Sequence, residues 1–201
     1  MAYVKEVFDV EELEQAKHIV LTSDPNNPNK FKIETDAVIK SLKKRKIITK
    51  DSWVMDFGCG MGRVSKAVLD EFNCTVIGVD ISPSMLNFAQ EYTESLKFKG
   101  AIKWTLPNTI DVCLAILCIQ HTEYPKSEIK AIYDALKPNG YLVLINENNR
   151  LVPSGVDSKG FVIWNDDGVD VHKEVEKKFK KIHAEKYMDT DKEIIYYQKV
   201  T

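Results

Sequence analysis

From Trp53 onward the chain alternates short apolar runs with amphipathic stretches, the pattern made by parallel strands covered with helices on both faces. Trp53–Phe57 reads as a first strand, and the helix after it carries Val64, Ala67, Val68 and Phe72 on one side. Thr75–Val79 reads as a second strand. Ser82 and Pro83 then supply a helix cap and a proline in the first helical position, ahead of Met85, Leu86 and Ala89. This helix is expected to run to about Lys97. Residues 112–119 are almost wholly apolar and are expected at the centre of the sheet. A helix over about 128–136 stops at Pro138-Asn139-Gly140, and a strand over 141–145 follows. Val171, Val175 and Phe179 recur at four-residue steps as a last helix, ahead of two strands near 182–188 and 194–200.

The first fifty residues carry two helical patterns. In one, Asp9 is placed to cap with Glu12 reciprocating, and Val10, Leu13, Ala16 or Lys17, and Val20 follow. The other spans about 34–46, with Ala37, Val38, Leu42 and Arg45 defining its faces. Residues 23–30, with two Pro and three Asn, read as the linker between them.

Chain length limits the third strand of such a sheet. A full edge strand over 101–105 would oblige the chain to recross three strand spacings, about 14 Å, and to return about 17 Å along a strand, a path of about 22 Å. The steps from Thr105 to Asp111 reach about 20 to 22 Å when fully extended. The expectation is a sheet of six well-formed strands with the third strand short or absent.

With 201 residues, 44% of them hydrophobic, the chain supports one α/β core. The organisation expected is a single domain over 1–201: a helical lid over 1–50, a core over 51–145, and a substrate-side segment with the last two strands over 146–201. Lys plus Arg number 28 against 30 Asp plus Glu, a formal charge of -2, so no basic field gathers polyanions and no nucleic acid is expected as partner. The run Lys43-Lys44-Arg45-Lys46 reads as a solvated helix face. Cys59, Cys74, Cys113 and Cys118 show no paired metal-ligand spacing, and no metal is expected. The first residues show no basic region leading into an apolar stretch, and no apolar segment is long enough to span a bilayer. A cytoplasmic location without membrane attachment is the expectation.

The chemistry concentrates in Val54-Met-Asp56-Phe-Gly58-Cys-Gly60-Met-Gly62-Arg63, between a strand and a helix. Glycines there let a ligand approach the backbone, and the helix start offers unpaired N–H groups. A dinucleotide fingerprint counted from Gly58 and Gly60 would need a third glycine at position 63, which is arginine. Asp56 would put negative charge beside a pyrophosphate, but suits a ligand carrying an ammonium and a sulfonium. Asp80 stands at the tip of the next strand, where a carboxylate can accept both hydroxyls of a ribose; the alternative role, a helix cap, already belongs to Ser82.

Together with Val79-Asp80-Ile-Ser-Pro-Ser-Met85, Asp111-Val-Cys-Leu-Ala-Ile-Leu-Cys-Ile-Gln120-His121 and Leu136-Lys-Pro-Asn-Gly140-Tyr-Leu-Val-Leu, the loop resembles the class I S-adenosylmethionine-dependent methyltransferases over 54–145. The resemblance implies a Rossmann-like, doubly wound α/β sheet, mostly parallel with an antiparallel C-terminal strand. It implies S-adenosyl-L-methionine as cofactor and S-adenosyl-L-homocysteine as product. Asp56, Gly58, Cys59 and Gly60 would face the methionine portion, Arg63 its carboxylate, Asp80 the ribose and Ile81 one adenine face, with Met85 and Cys118 among the cofactor's surroundings. Trp104 either stacks on adenine or caps the sheet edge. Residues 118–121 would line the path to the acceptor.

His121 is the candidate general base, and Gln120, Glu147 and Asn148 are candidate contacts to the acceptor. The acceptor expected is a small molecule methylated on O or N, with the protein a monomer or homodimer. A peptide or protein amine is an alternative acceptor. Two rival readings are a non-catalytic methyltransferase-like protein and, lower, a nicotinamide-dependent oxidoreductase.

Overall fold

The computed structural model describes residues 3–20, 29–147 and 149–200. A seven-stranded sheet is built from β1 (Trp53–Phe57), β2 (Thr75–Val79), β3 (Phe98–Ala101), β4 (Ile110–Ile116), β5 (Leu136–Ile145), β8 (Phe179–Lys186) and β9 (Glu193–Lys199), in the order β3-β2-β1-β4-β5-β9-β8. β1 to β5 run parallel, and β9 is antiparallel to both of its neighbours. A separate hairpin pairs β6 (Val152–Val156) with β7 (Val162–Asn165).

The two-residue period of each strand divides the core between the sheet's faces. Val54, Val76, Val112, Leu114 and Val143 pack with α2 (Lys30–Arg45), α3 (Arg63–Phe72) and α4 (Pro83–Thr93) through Val38, Leu42, Val64, Val68 and Ala89. Met55, Ile77, Cys113, Ala115, Leu142 and Leu144 turn the other way. They meet Ile129 and Ile132 of α5 (Pro125–Ala135) and Val171 and Val175 of α6 (Val171–Glu176). Each Val, Leu, Ile or Met among them taken out of water contributes about 1.5 to 3 kcal/mol, before the entropy of ordering it is counted.

Several expectations are corrected. The third strand is short, as expected, but its four residues pair in full register with β2 and make a seventh strand of the sheet. α4 stops at Thr93, because Glu94 adopts a left-handed conformation (φ 50°) and its N–H closes on the Gln90 carbonyl. The strand therefore starts at Phe98 instead of Ala101, and the steps from Ala101 to Ile110 span about 30 Å, enough for the crossing. The central strand ends at Ile116 rather than 119. Leu117 turns the chain (φ 55°) into a 3-10 turn at Ile119–His121. Phe179 opens β8 instead of closing the last helix.

At the N-terminus, α1 (Leu13–Val20) is not capped by Asp9. Gln15 Oε1 accepts from the N–H groups of Glu11 and Glu12, while the Asp9 N–H closes a 3-10 turn at Lys5–Phe8. Most of the expected linker lies outside the described residues. Among the described residues, no helix is long and apolar enough to cross a membrane.

Candidate active site

The carboxyl ends of the parallel strands open into a cleft of about 1090 Å³, the position at which an open α/β sheet binds ligands. Its floor is the loop from β1 to α3. The N–H groups of Gly58 and Cys59 both donate to the Val79 carbonyl, at 2.7 and 3.1 Å, which folds the loop over the end of β2. Gly58 has a φ of 74°, and a Cβ there would stand 2.0 Å from Cys118 Sγ. That glycine is required by the packing of loop against strand end. Gly60, also left-handed (φ 52°), lines the cleft with Cys59.

Asp80 ties the loop to the next turn. Its Oδ2 accepts from the Gly60 N–H at 2.8 Å and its Oδ1 from the Ser82 N–H at 3.0 Å, while Ser82 Oγ caps α4 through the Met85 N–H. Burial raises its pKa and the N–H donors oppose the rise. A carboxylate offers about four lone-pair positions, so acceptor capacity remains for hydroxyls in the cleft. Asp56 lies deeper, 2% exposed, accepting from Ser65 Oγ at 2.6 Å. Burial pushes its pKa up to about 6, against the Ser65 hydrogen bond and the nearby Arg63.

Arg63 is buried, donates from Nη1 to Thr35 Oγ1 at 3.0 Å, and sits 5.6 Å over the Phe31 ring. Ile81 is exposed along the cleft wall; Met85 is buried with Val10, Ala16 and Met61. Trp104 lines the cleft while its indole N–H donates to Thr109 Oγ1 at 3.0 Å and its ring lies 6.3 Å from Trp53. Cys118 also lines the cleft, and burial pushes its thiol up.

On the other side of the cleft a hydrogen-bond chain orders the 3-10 turn. The Glu147 N–H donates to Gln120 Oε1 at 2.7 Å, which leaves the Gln120 amide nitrogen facing His121 Nε2 at 3.3 Å. His121 Nδ1 lies 2.8 Å from the Leu151 carbonyl, an acceptor only. This network assigns the imidazole proton to Nδ1 and the lone pair to Nε2. Burial lowers the His121 pKa. The ring stands 5.7 Å from Trp164 and 6.3 Å from Phe8. Glu147 pairs with Lys192 Nζ at 3.0 Å, also in the cleft. Asn148 lies outside the described residues.

No sequence signal marks Tyr3, Arg150 or Lys192 as site residues, since each acts through contacts distant in the chain. Tyr3 Oη donates to the His121 carbonyl at 3.1 Å. Arg150, 1% exposed, donates to the carbonyls of Ile119 (3.3 Å) and Thr122 (2.6 Å), and its Nε lies 2.8 Å from Asp167 Oδ1. It holds the turn that carries Gln120 and His121.

The same region has relatives. The profile of a methyltransferase domain matches residues 55–144. That stretch carries a methyltransferase domain. The chain is 29% identical over 118 residues to phosphoethanolamine N-methyltransferase 2 of Caenorhabditis elegans, covering 54% of this chain and 27% of that protein. It is 29% identical over 100 residues to the mitochondrial ubiquinone biosynthesis O-methyltransferase of Schizosaccharomyces pombe, covering 45% of this chain and 36% of that one. The chain thus spans well under two thirds of either relative. In fold it is similar to the PH0226 protein of Pyrococcus horikoshii, with a TM-score of 0.69 and 21% identity over 91% of this chain and 98% of the other.

Proposed function

We propose that this chain is a class I S-adenosylmethionine-dependent methyltransferase, which moves the methyl group of S-adenosylmethionine to an O or N atom of a small-molecule acceptor. The observation that carries the reading is one cleft lined both by the loop from Asp56 to Arg63 with Asp80, and by Gln120, His121 and Glu147. The residues fit the cofactor. Asp80 has carboxylate capacity left beside Gly60, Arg63 keeps a buried Nε without a hydrogen bond among the described residues, and Asp56 offers negative charge where a sulfonium needs it. Asp80 holds the ribose hydroxyls, Arg63 the methionine carboxylate, and Ile81 and Trp104 border the adenine. Gly58, Cys59, Met85 and Cys118 shape the surrounding wall.

When bound, the cofactor supplies a methyl group already electrophilic on sulfur, so the protein's work is to orient an acceptor and exclude water. Tyr3, Phe8 and Trp164 close the cleft over His121. The Nε2 lone pair of His121 receives the acceptor's proton, Gln120 holds the imidazole in the tautomer that leaves this lone pair available, and Glu147 contacts the acceptor. The aromatic, enclosed character of this side favours a small acceptor over a polymer.

Calorimetry with S-adenosylmethionine, S-adenosylhomocysteine and NAD, followed by turnover on a panel of phenols and amines, tests the reading. S-adenosylhomocysteine binding together with methyl transfer to one of the panel is expected. Binding of NAD without S-adenosylhomocysteine would overturn it, and cofactor binding without turnover on any acceptor, a peptide amine included, would favour a non-catalytic protein.

A further inference from the structure

At the Arg63 end of the cleft three buried polar atoms make no hydrogen bond of good geometry among the described residues: Arg63 Nε, Glu34 Oε2 and Tyr187 Oη, the phenol lying against the Glu34 carboxylate. They come from three elements, the start of α3, the second turn of α2 and the end of the β8 strand. Glu34 and Arg63 both line the cleft, and Glu34 is only 9% exposed. Arg63 is fixed against α2 by its hydrogen bond to Thr35 and by the Phe31 ring, so its guanidinium stays beside Glu34. Burial pushes the Tyr187 phenol up, and the adjoining Glu34 carboxylate pushes it further by its charge and by contact with the phenol.

Buried charges without partners are costly, and a fold retains them where a ligand completes them. Here an acidic and a basic side chain line the same cavity without an ion pair between them among the described contacts. A single positive ligand would satisfy Glu34 and leave Arg63 unmatched, and a single negative ligand would do the reverse. An α-amino acid end, ammonium and carboxylate on one carbon, matches both.

We propose that Glu34 is the counter-charge for the ammonium of the cofactor's amino-acid end, which makes helix α2 part of the cofactor site and not only of the acceptor side. The inference rests on the proposed methyltransferase reading. Charge-assisted contacts of this kind change affinity about tenfold or more.

The test compares S-adenosylhomocysteine, its analogue lacking only the amino group, and 5′-methylthioadenosine, by calorimetry on the wild-type chain and on Glu34→Gln. The wild type is expected to bind the deamino analogue about tenfold or more weakly than S-adenosylhomocysteine. Glu34→Gln is expected to lose about the same factor for S-adenosylhomocysteine, to lose little more for the deamino analogue, and to bind 5′-methylthioadenosine as the wild type does. Equal wild-type affinity for the first two ligands overturns the assignment without any variant. So does a variant that weakens all three ligands alike. A wild-type chain that binds none of them overturns the methyltransferase reading, and this assignment with it.

Discussion

Gln120 holds the Nε2 side of His121, with its amide nitrogen 3.3 Å from that ring atom and its amide oxygen fixed by the Glu147 N–H. The arrangement leaves the imidazole neutral with its proton on Nδ1, directed to the Leu151 carbonyl. On the proposed reading, transfer of a proton to Nε2 requires that an acceptor hydroxyl or amine displace this long hydrogen bond.

If His121 is the base, His121→Gln is expected to lower kcat by about 10² to 10⁴ while leaving the Kd for S-adenosylhomocysteine within about twofold. Rapid-quench kinetics and calorimetry on the same preparation separate the two. The pH profile provides a second check. Burial holds the His121 pKa below its ordinary 6.5, so kcat/KM should rise with pH through an apparent pKa below that value and be level at neutrality. A rise centred above 7 would exclude this histidine.

Asp56 carries the opposite sign. Its folded pKa of about 6 exceeds the ordinary 3.8, so the native chain binds more protons than the unfolded one between those values. Its favourable contribution is complete below about pH 3.8 and is lost as pH rises through 6. At pH 7 the buried carboxylate therefore costs about 1 to 3 kcal/mol in the free protein. Asp56→Asn should raise Tm at pH 7, with the gain shrinking towards pH 4, and should weaken S-adenosylhomocysteine binding. A Tm that falls equally at both pH values would show that the carboxylate is needed for packing instead.

Asp80→Ala is expected to weaken S-adenosylhomocysteine by about 1.5 to 3 kcal/mol, the usual worth of hydrogen bonds to a charged group. Because Asp80 also accepts from Gly60 and Ser82, Asp80→Asn should retain part of the loop geometry and fall between the wild type and Ala. Unchanged affinity in a folded Ala variant would remove Asp80 from the site.

Arg150→Met should act on the turn and not on the cofactor. Loss of the guanidinium leaves the Thr122 carbonyl without its donor, while the Ile119 carbonyl keeps the N–H and hydroxyl of Thr122, at a cost of about 1 to 3 kcal/mol for the group left unmet. The expected signature is a fall in kcat with the Kd for S-adenosylhomocysteine held within about twofold, partly restored in Arg150→Lys. Proportional losses in both quantities would indicate general unfolding.

Local chemistry made much of this fold legible. β1 and β2 have the bounds expected of them, because strands buried on both faces are continuous apolar runs with glycine or a helix cap at their ends. Ser82 caps α4, with Pro83 after it, as their order along the chain requires. The loop from Asp56 to Arg63 and Asp80 meet in one cleft because two adjacent parallel strands end there. These features depend on residues a few positions apart, so period, propensity and spacing determine them.

Other features depended on tertiary structure. α4 stops at Thr93 because Glu94 takes a left-handed cap that its own residue type does not favour, and only then does chain remain for β3. The β6–β7 hairpin is short and mostly half-buried, with Pro, Ser and Gly inside its first strand, so it leaves no apolar period to detect. Arg150 reaches back across the chain to the carbonyls around His121, and Tyr3 reaches across more than half the chain to the same turn. The unmatched atoms of Glu34, Arg63 and Tyr187 meet only after α2, α3 and the β8 end have packed. A sequence determines which groups can donate, accept or carry charge; packing decides which of them meet, because burial removes the water that would otherwise satisfy each one separately.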